Sequence, residues 1–193
     1  MQKVEWSNGN WVNPPQALEI KDDKLFVICK PNSDFWRNTS YGFVHDDAHG
    51  LLYDFPDNSA MEVSFVLNYT EQFDQAGLLL WNNEKNWIKA GVEFADGSPQ
   101  VGAVVTYENS DWSVAPVESW IGKVVSIRAS RSGDAVTIRA KCGAEGKWQL
   151  VRLAPLHKDK IWQIGPFCCS PTRSGLEVEF TKLEAGPSDG SLH

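Results

Sequence analysis

The sequence predicts an all-β domain built as a sandwich or jelly roll, two stacked antiparallel sheets with about a dozen strands. Three observations predict it. Apolar and polar residues alternate over short runs, and almost nothing shows the 3.6-residue period of a helix. The runs are punctuated by turn formers: Asn82-Asn83, Asp96-Gly97, Ser132-Gly133-Asp134 and the segment from Gly143 to Gly146. Nine tryptophans in 193 residues suit sheet surfaces and sandwich cores.

The elements follow in order. Short strands are expected near residues 4–6, 17–20 and 41–44. Clear alternating or apolar runs occupy 24–29, 61–69, 76–81, 87–94 and 101–107. Five more follow at 123–130, 135–141, 147–152, 161–167 and 176–182. No linker divides them, so residues 1–185 read as one domain. Residues 186–193, rich in Gly, Pro and Ser, read as a flexible tail.

Composition excludes several functions. The net charge is −7 with no basic run, which argues against nucleic acid and anionic membranes as partners. No run of eighteen apolar residues occurs, and Met1–Trp6 has no secretory character, so the expected location is the cytoplasm. The cysteines at 29, 142, 168 and 169 form no C-x-x-C pair and read as reduced thiols. Phosphate-binding glycine loops and a serine nucleophile elbow are absent, and no cofactor is implied. His45 and His49 share a face only on a helix. Their segment, between Gly42-Phe43 and Gly50-Leu51, reads as a loop, so no metal is assigned.

The most informative stretch is Asn86–Phe94, NWIKAGVEF. Pairing it with 76–81 across a five-residue loop, 82–86, sets Trp81 opposite Trp87, Leu79 opposite Lys89, Gly77 opposite Gly91 and Gln75 opposite Glu93. Directly opposed residues share a face. The other face, Leu80/Ile88, Leu78/Ala90 and Ala76/Val92, is wholly apolar and belongs in the core. Strand 101–107 is expected to add Gly102, Val104 and Thr106 beside Glu93, Gly91 and Lys89. The first face then offers two Trp rings at one end, a carboxylate and an amide at the other, and a glycine floor between. Such a surface suits a ring-shaped polar ligand. The alternative is that the glycines only permit curvature and the Trp rings only cover a sheet edge.

Two further motifs set an Asp beside a Trp, Asp34-Phe35-Trp36-Arg37 and Ser110-Asp111-Trp112-Ser113. Both read as rim elements, with an anchored loop as the plainer reading. The expected ligand-contacting set is Trp36, Gln75, Trp81, Trp87, Lys89, Glu93, Thr106, Asp111 and Trp112. Were the protein an enzyme, Glu93 would be its acid or base, with Asp111, Asp74 or Asp34 as the partner carboxylate.

The order Asn13-Pro14-Pro15, Asp34-Phe35-Trp36, Tyr41-Gly42-Phe43, His49, Phe73-Asp74-Gln75-Ala76-Gly77, Trp87 to Glu93, Val105-Thr106, Ser110 to Ser113 and Cys169-Ser170-Pro171 resembles the domain-of-unknown-function 1349 family, a regulation-of-enolase-like group. The resemblance runs from about Trp11 to Phe180. It implies a concanavalin A-like lectin/glucanase sandwich and a regulatory link to carbohydrate metabolism, with a metabolic enzyme as partner. It supplies no catalytic residues. Laminarinase-type glycosidases of this fold carry a Glu-x-Asp-x-x-Glu strand; the comparable Lys89-Ala90-Gly91-Val92-Glu93 lacks the acid pair. The expected function is therefore a non-catalytic module binding a carbohydrate or sugar-phosphate-like ligand in a Trp-lined groove. The alternatives are a glycosidase- or lyase-type enzyme using Glu93 and a protein-interaction scaffold.

Overall fold

The structure is a computed structural model that describes residues 1–190. Its strands are β1 (Gln2–Lys3), β2 (Asn10–Val12), β3 (Ala17–Lys21), β4 (Lys24–Ile28), β5 (Phe35–Arg37), β6 (Val44–Asp46), β7 (His49–Asp54), β8 (Ser59–Val66) and β9 (Gln75–Asn83). Then come β10 (Asn86–Ala95), β11 (Ser98–Tyr107), β12 (Asn109–Pro116), β13 (Val124–Ser132), β14 (Ala135–Cys142), β15 (Gln149–Pro155), β16 (Gln163–Cys169) and β17 (Glu177–Pro187). Two single-turn 3-10 helices, at Trp6–Asn8 and Glu118–Trp120, interrupt them. Among the described residues no helix is long and apolar enough to cross a membrane.

Two large sheets stack, as the alternation predicts. One runs β12-β11-β10-β9-β16-β7-β2; the other runs β15-β14-β13-β8-β17-β4-β3, with β1 also on β17. Between them lies one apolar core. Ala76, Leu78, Leu80, Ile88, Ala90 and Val92 enter it from the first sheet, and Val27, Val63, Phe65, Ile127, Ile138 and Phe180 from the second. The even-numbered side of β9 and β10 is thus the core side.

The β9–β10 register matches the expected pairs: Trp81 with Trp87, Leu79 with Lys89, Gly77 with Gly91 and Gln75 with Glu93. The connection differs. Instead of a five-residue loop, both strands continue to a turn at Glu84-Lys85, with a bulge before Trp87. Asn83 makes this possible, because its Oδ1 accepts from the Lys85 N–H and from Asn86 Nδ2. The parity expected of β11 holds, but its offset is two residues out. Gly102 faces Gly91, Val104 faces Lys89 and Thr106 faces Trp87.

Two expectations are corrected at the ends of the fold. Ser110–Ser113, read as a rim element with an anchored loop as the plainer reading, lies inside a full edge strand, Asn109–Pro116. The last strand runs on through Gly186 and Pro187, which pair with Ala60 and Ser59. Asp189 then bridges Arg128 and Arg139. The chain is therefore held as far as Asp189, where a loose tail from 186 was expected, because paired guanidinium groups are there to receive its carboxylate. Residues 191–193 lie outside the described residues.

Candidate functional site

The outer face of the seven-stranded sheet carries a feature with no obvious sequence period. The small hairpin β5–β6 lies over it, pinned at both ends. At one end the buried ring of His49 accepts the Lys30 N–H on Nε2, and its Nδ1–H donates to the Asn13 carbonyl. Asn13 Nδ2 in turn donates to the carbonyls of Asp46 and Ala48. Burial lowers the His49 pKa, outweighing the Asn13 hydrogen bond that opposes it. The ring therefore stays neutral and is available as an acceptor. At the other end the Arg37 N–H donates to Ser110 Oγ, which also pairs with Thr106 Oγ1 at 2.9 Å. The two Asp/Trp motifs are thereby brought side by side, with the Trp36 and Trp112 rings edge to face at 6.4 Å.

Half of the outer face is sealed by this hairpin. Phe35 sits in the seal, 5.5 Å from both the Trp81 and Trp87 rings. Leu79, Trp87, Val104, Phe167 and Cys169 close a second small core around it. Trp87 is 0% exposed. It is a core residue, not the stacking surface expected of it, and Trp81 packs behind Phe35. Thr106 is also fully buried and serves to anchor the hairpin. Neighbouring Asp111 and Trp112 part company, since successive strand residues point to opposite faces. Asp111 forms an ion pair with Arg152, 3.0 Å away, and borders only an outer hollow that it shares with Trp36, Tyr41 and Trp112.

The other half stays open as a cavity of about 400 Å³. This is within the usual size range for small-molecule pockets. Its floor brings together four groups, Gln75, Lys89, Glu93 and Asp34. Its wall and rim are aromatic. The rings form one continuous run: Trp36 meets Trp112 on one side and Tyr41, 5.5 Å away, on the other, and Tyr41 stacks on Phe43 at 5.4 Å and 14°. His45 meets Phe43 edge-on. Of the nine expected contact residues, Trp36, Gln75, Lys89, Glu93 and Trp112 line this cavity; Trp81, Trp87, Thr106 and Asp111 do not. Sequence reasoning missed Tyr41, Phe43 and His45. A short strand was expected near 41–44, but Tyr41 and Phe43 lie in the turn before β6, and nothing in the sequence said that this turn folds over the sheet.

The glycines expected as a floor do not line this cavity, and their cause is steric. Gly77, Gly91 and Gly102 stand in register on three adjacent strands. A Cβ on Gly77 would overlap the Ala90 carbonyl oxygen, one on Gly91 that of Ala76, and one on Gly102 that of Ser113. Close backbone approach, rather than ligand access alone, requires glycine there.

Charge on the floor is unevenly satisfied. Lys89 Nζ lies 2.7 Å from Asp34 Oδ1, with the two side chains 4% and 18% exposed. Burial alone would lower the Lys89 pKa; the negative charge of Asp34, with Cys169 and Glu93 behind it, outweighs that and raises it. The same Asp34 oxygen accepts the Phe35 N–H. Glu93 has no countercharge bonded to it; its carboxyl accepts a hydrogen bond from the Trp112 indole. Among the described residues nothing hydrogen-bonds its buried Oε1. Burial pushes its pKa from the ordinary 4.5 to about 7, and the attraction of Lys89 only partly offsets this.

The sign of the Glu93 shift gives a measurable consequence. An acid whose folded pKa is raised costs nothing below 4.5, where both states are protonated. The cost grows as pH rises from 4.5 to about 7 and is constant above that. Glu93→Gln is therefore expected to stabilise the fold at pH 8 by about 2 kcal/mol, a figure that allows for the open side of the cavity, and to do nothing at pH 4.5. Urea denaturation at the two pH values checks this.

Comparison with known proteins agrees with this architecture. A family model described as "Protein of unknown function (DUF1349)" matches residues 11–188. The chain is 31% identical over 201 residues to Regulation of enolase protein 1 of Saccharomyces cerevisiae, covering 100% of this chain and 96% of that protein. A crystal structure of a functionally unknown protein from Saccharomyces cerevisiae superposes with a TM-score of 0.90 at 30% identity, covering 97% of this chain and 100% of that one. Xylan beta-1,4-xylosidase from Bacillus halodurans C-125 superposes with a TM-score of 0.71 at 11% identity. It covers 96% of this chain but 39% of that one, a likeness of fold alone.

Proposed function

The chain belongs to the DUF1349 family, and from that premise we propose that it is a non-catalytic binding module with a regulatory role, its cavity taking a carbohydrate or other small polar ligand. The observation that carries this is the pairing of an aromatic rim, Trp36, Tyr41, Phe43 and Trp112, with the hydrogen-bonding floor of Gln75, Asp34, Lys89 and Glu93. Sugar rings have apolar faces for the first and hydroxyls for the second. The name of the yeast relative, Regulation of enolase protein 1, supports a role in carbohydrate metabolism with a metabolic enzyme as protein partner. The four unpaired cysteines support a cytoplasmic location.

Trp112 is the residue to test, because it is 37% exposed and stands on the rim. Trp112→Ala is expected to weaken binding of a cognate saccharide about tenfold in a calorimetric titration while shifting Tm by no more than about 2 °C. Unchanged affinity would remove Trp112 from the site.

A second reading is favoured by one observation, the Glu93 carboxyl, whose Oε1 has no hydrogen-bond donor among the described residues and whose pKa is pushed up to about 7 by burial, the condition for a general acid or base. Of its expected partner carboxylates, Asp34 is committed to Lys89 and Asp74 to Arg173 and Ser170, while Asp111 lies outside the cavity. Any hydrolysis that survives Glu93→Gln excludes this reading.

A further inference from the structure

We infer that the cavity selects an uncharged polyhydroxyl ligand and discriminates against its phosphate ester, a conclusion that rests on the carbohydrate reading and narrows it. The charges of the lining carry it. Among the described residues the cavity wall contains one lysine and no arginine. That lysine, Lys89, is already held by Asp34 at 2.7 Å and is 3% exposed, so its charge is neutralised before a ligand arrives. What remains is acidic or neutral: Glu93, the Gln75 amide and the indole and phenol edges of the rim. His45 stands at the margin, 3.7 Å from the Asp47 carboxylate.

A phosphate monoester needs the opposite arrangement. Sites for it present unspent guanidinium or ammonium groups, or converging backbone N–H donors at a helix start. This floor is strand, and its backbone donors are engaged in the β9–β10–β11 ladders. A dianion entering here would lose its hydration, gain no free cation and approach the Glu93 carboxyl. Hydroxyl groups suit the same floor well. Each both donates and accepts, so it can donate to Glu93 and accept from Gln75 without importing charge. The buried Glu93 Oε1, which among the described residues has no donor, is the acceptor the protein itself leaves unsatisfied.

The test is calorimetric titration of the full chain at pH 8 with D-glucose, D-galactose and D-mannose, each paired with its 6-phosphate. At least one neutral sugar is expected to bind at least about tenfold tighter than its ester. Glu93→Gln is expected to narrow that ratio by relieving repulsion of the ester, which a purely steric exclusion would not do. An ester that binds as tightly as its parent sugar overturns the charge argument and leaves the carbohydrate reading standing. Failure of all six compounds to bind overturns both. A discrimination ratio unchanged in Glu93→Gln overturns the role given to Glu93.

Discussion

Trp87→Ala is expected to cost about 3–5 kcal/mol of folding stability, the range for removing a fully buried large aromatic side chain. The ring has no exposed surface, and Phe35, Val104 and Leu79 enclose it beneath the β5–β6 hairpin. Nothing nearby is positioned to fill the space, because the sheet below is fixed by its hydrogen-bond ladders and Phe35 is wedged between Trp81 and Trp87. The loss will show as a lower urea midpoint. It will also reach the cavity, since the hairpin that rests on Trp87 supplies the cavity's roof. A cost below about 1 kcal/mol would mean that the hairpin is not packed on the sheet.

Lys89→Met is expected to cost a similar 3–5 kcal/mol, for a different reason. The methionine fills nearly the same volume, so little packing is lost. What is lost is the countercharge of Asp34, whose carboxylate is left 18% exposed in a site that otherwise offers it the Phe35 N–H and the Cys169 thiol. Asp34→Asn in the same chain removes the orphaned charge and should restore much of the stability. The double-mutant cycle therefore separates an ion pair from simple packing. A double variant no more stable than Lys89→Met alone would contradict the pairing.

The path from sequence to this site divides by the kind of information each step needed. Alternation in Asn86–Phe94 decided which side chains face the core, because a strand has a two-residue period and one face must be buried. The placement of Ile88, Ala90 and Val92 in the core follows from that alone. The offset of β11 was also legible, in Asp96-Gly97 rather than in the strands. Both residues adopt positive φ, 53° and 81°, as in a two-residue hairpin turn. Counting outward from it through Ala95–Ser98 leads directly to Gly91 opposite Gly102. The fate of Trp87 was not legible. Parity says which face a residue points to, but what covers that face is supplied by Phe35 and its hairpin, some fifty positions earlier, in a stretch of Asn, Ser, Asp and Gly with little periodicity. The opposite orientation of Asp111 and Trp112 was hidden by reading Ser110–Ser113 as a loop. Once it is a strand, the two must diverge.

The nine tryptophans provide the most direct test of the account as a whole, because each indole N–H reports from a known position. A titration with the neutral sugars, followed in the indole region of a proton–nitrogen NMR spectrum, is predicted to shift the Trp36 and Trp112 resonances. Trp6, Trp120 and Trp162, packed in the core between the two sheets, and Trp87, beneath the hairpin, should remain still. Sugar binding that leaves Trp36 and Trp112 unmoved, or that moves only tryptophans away from the hairpin, would contradict the claim that this cavity is the recognition site.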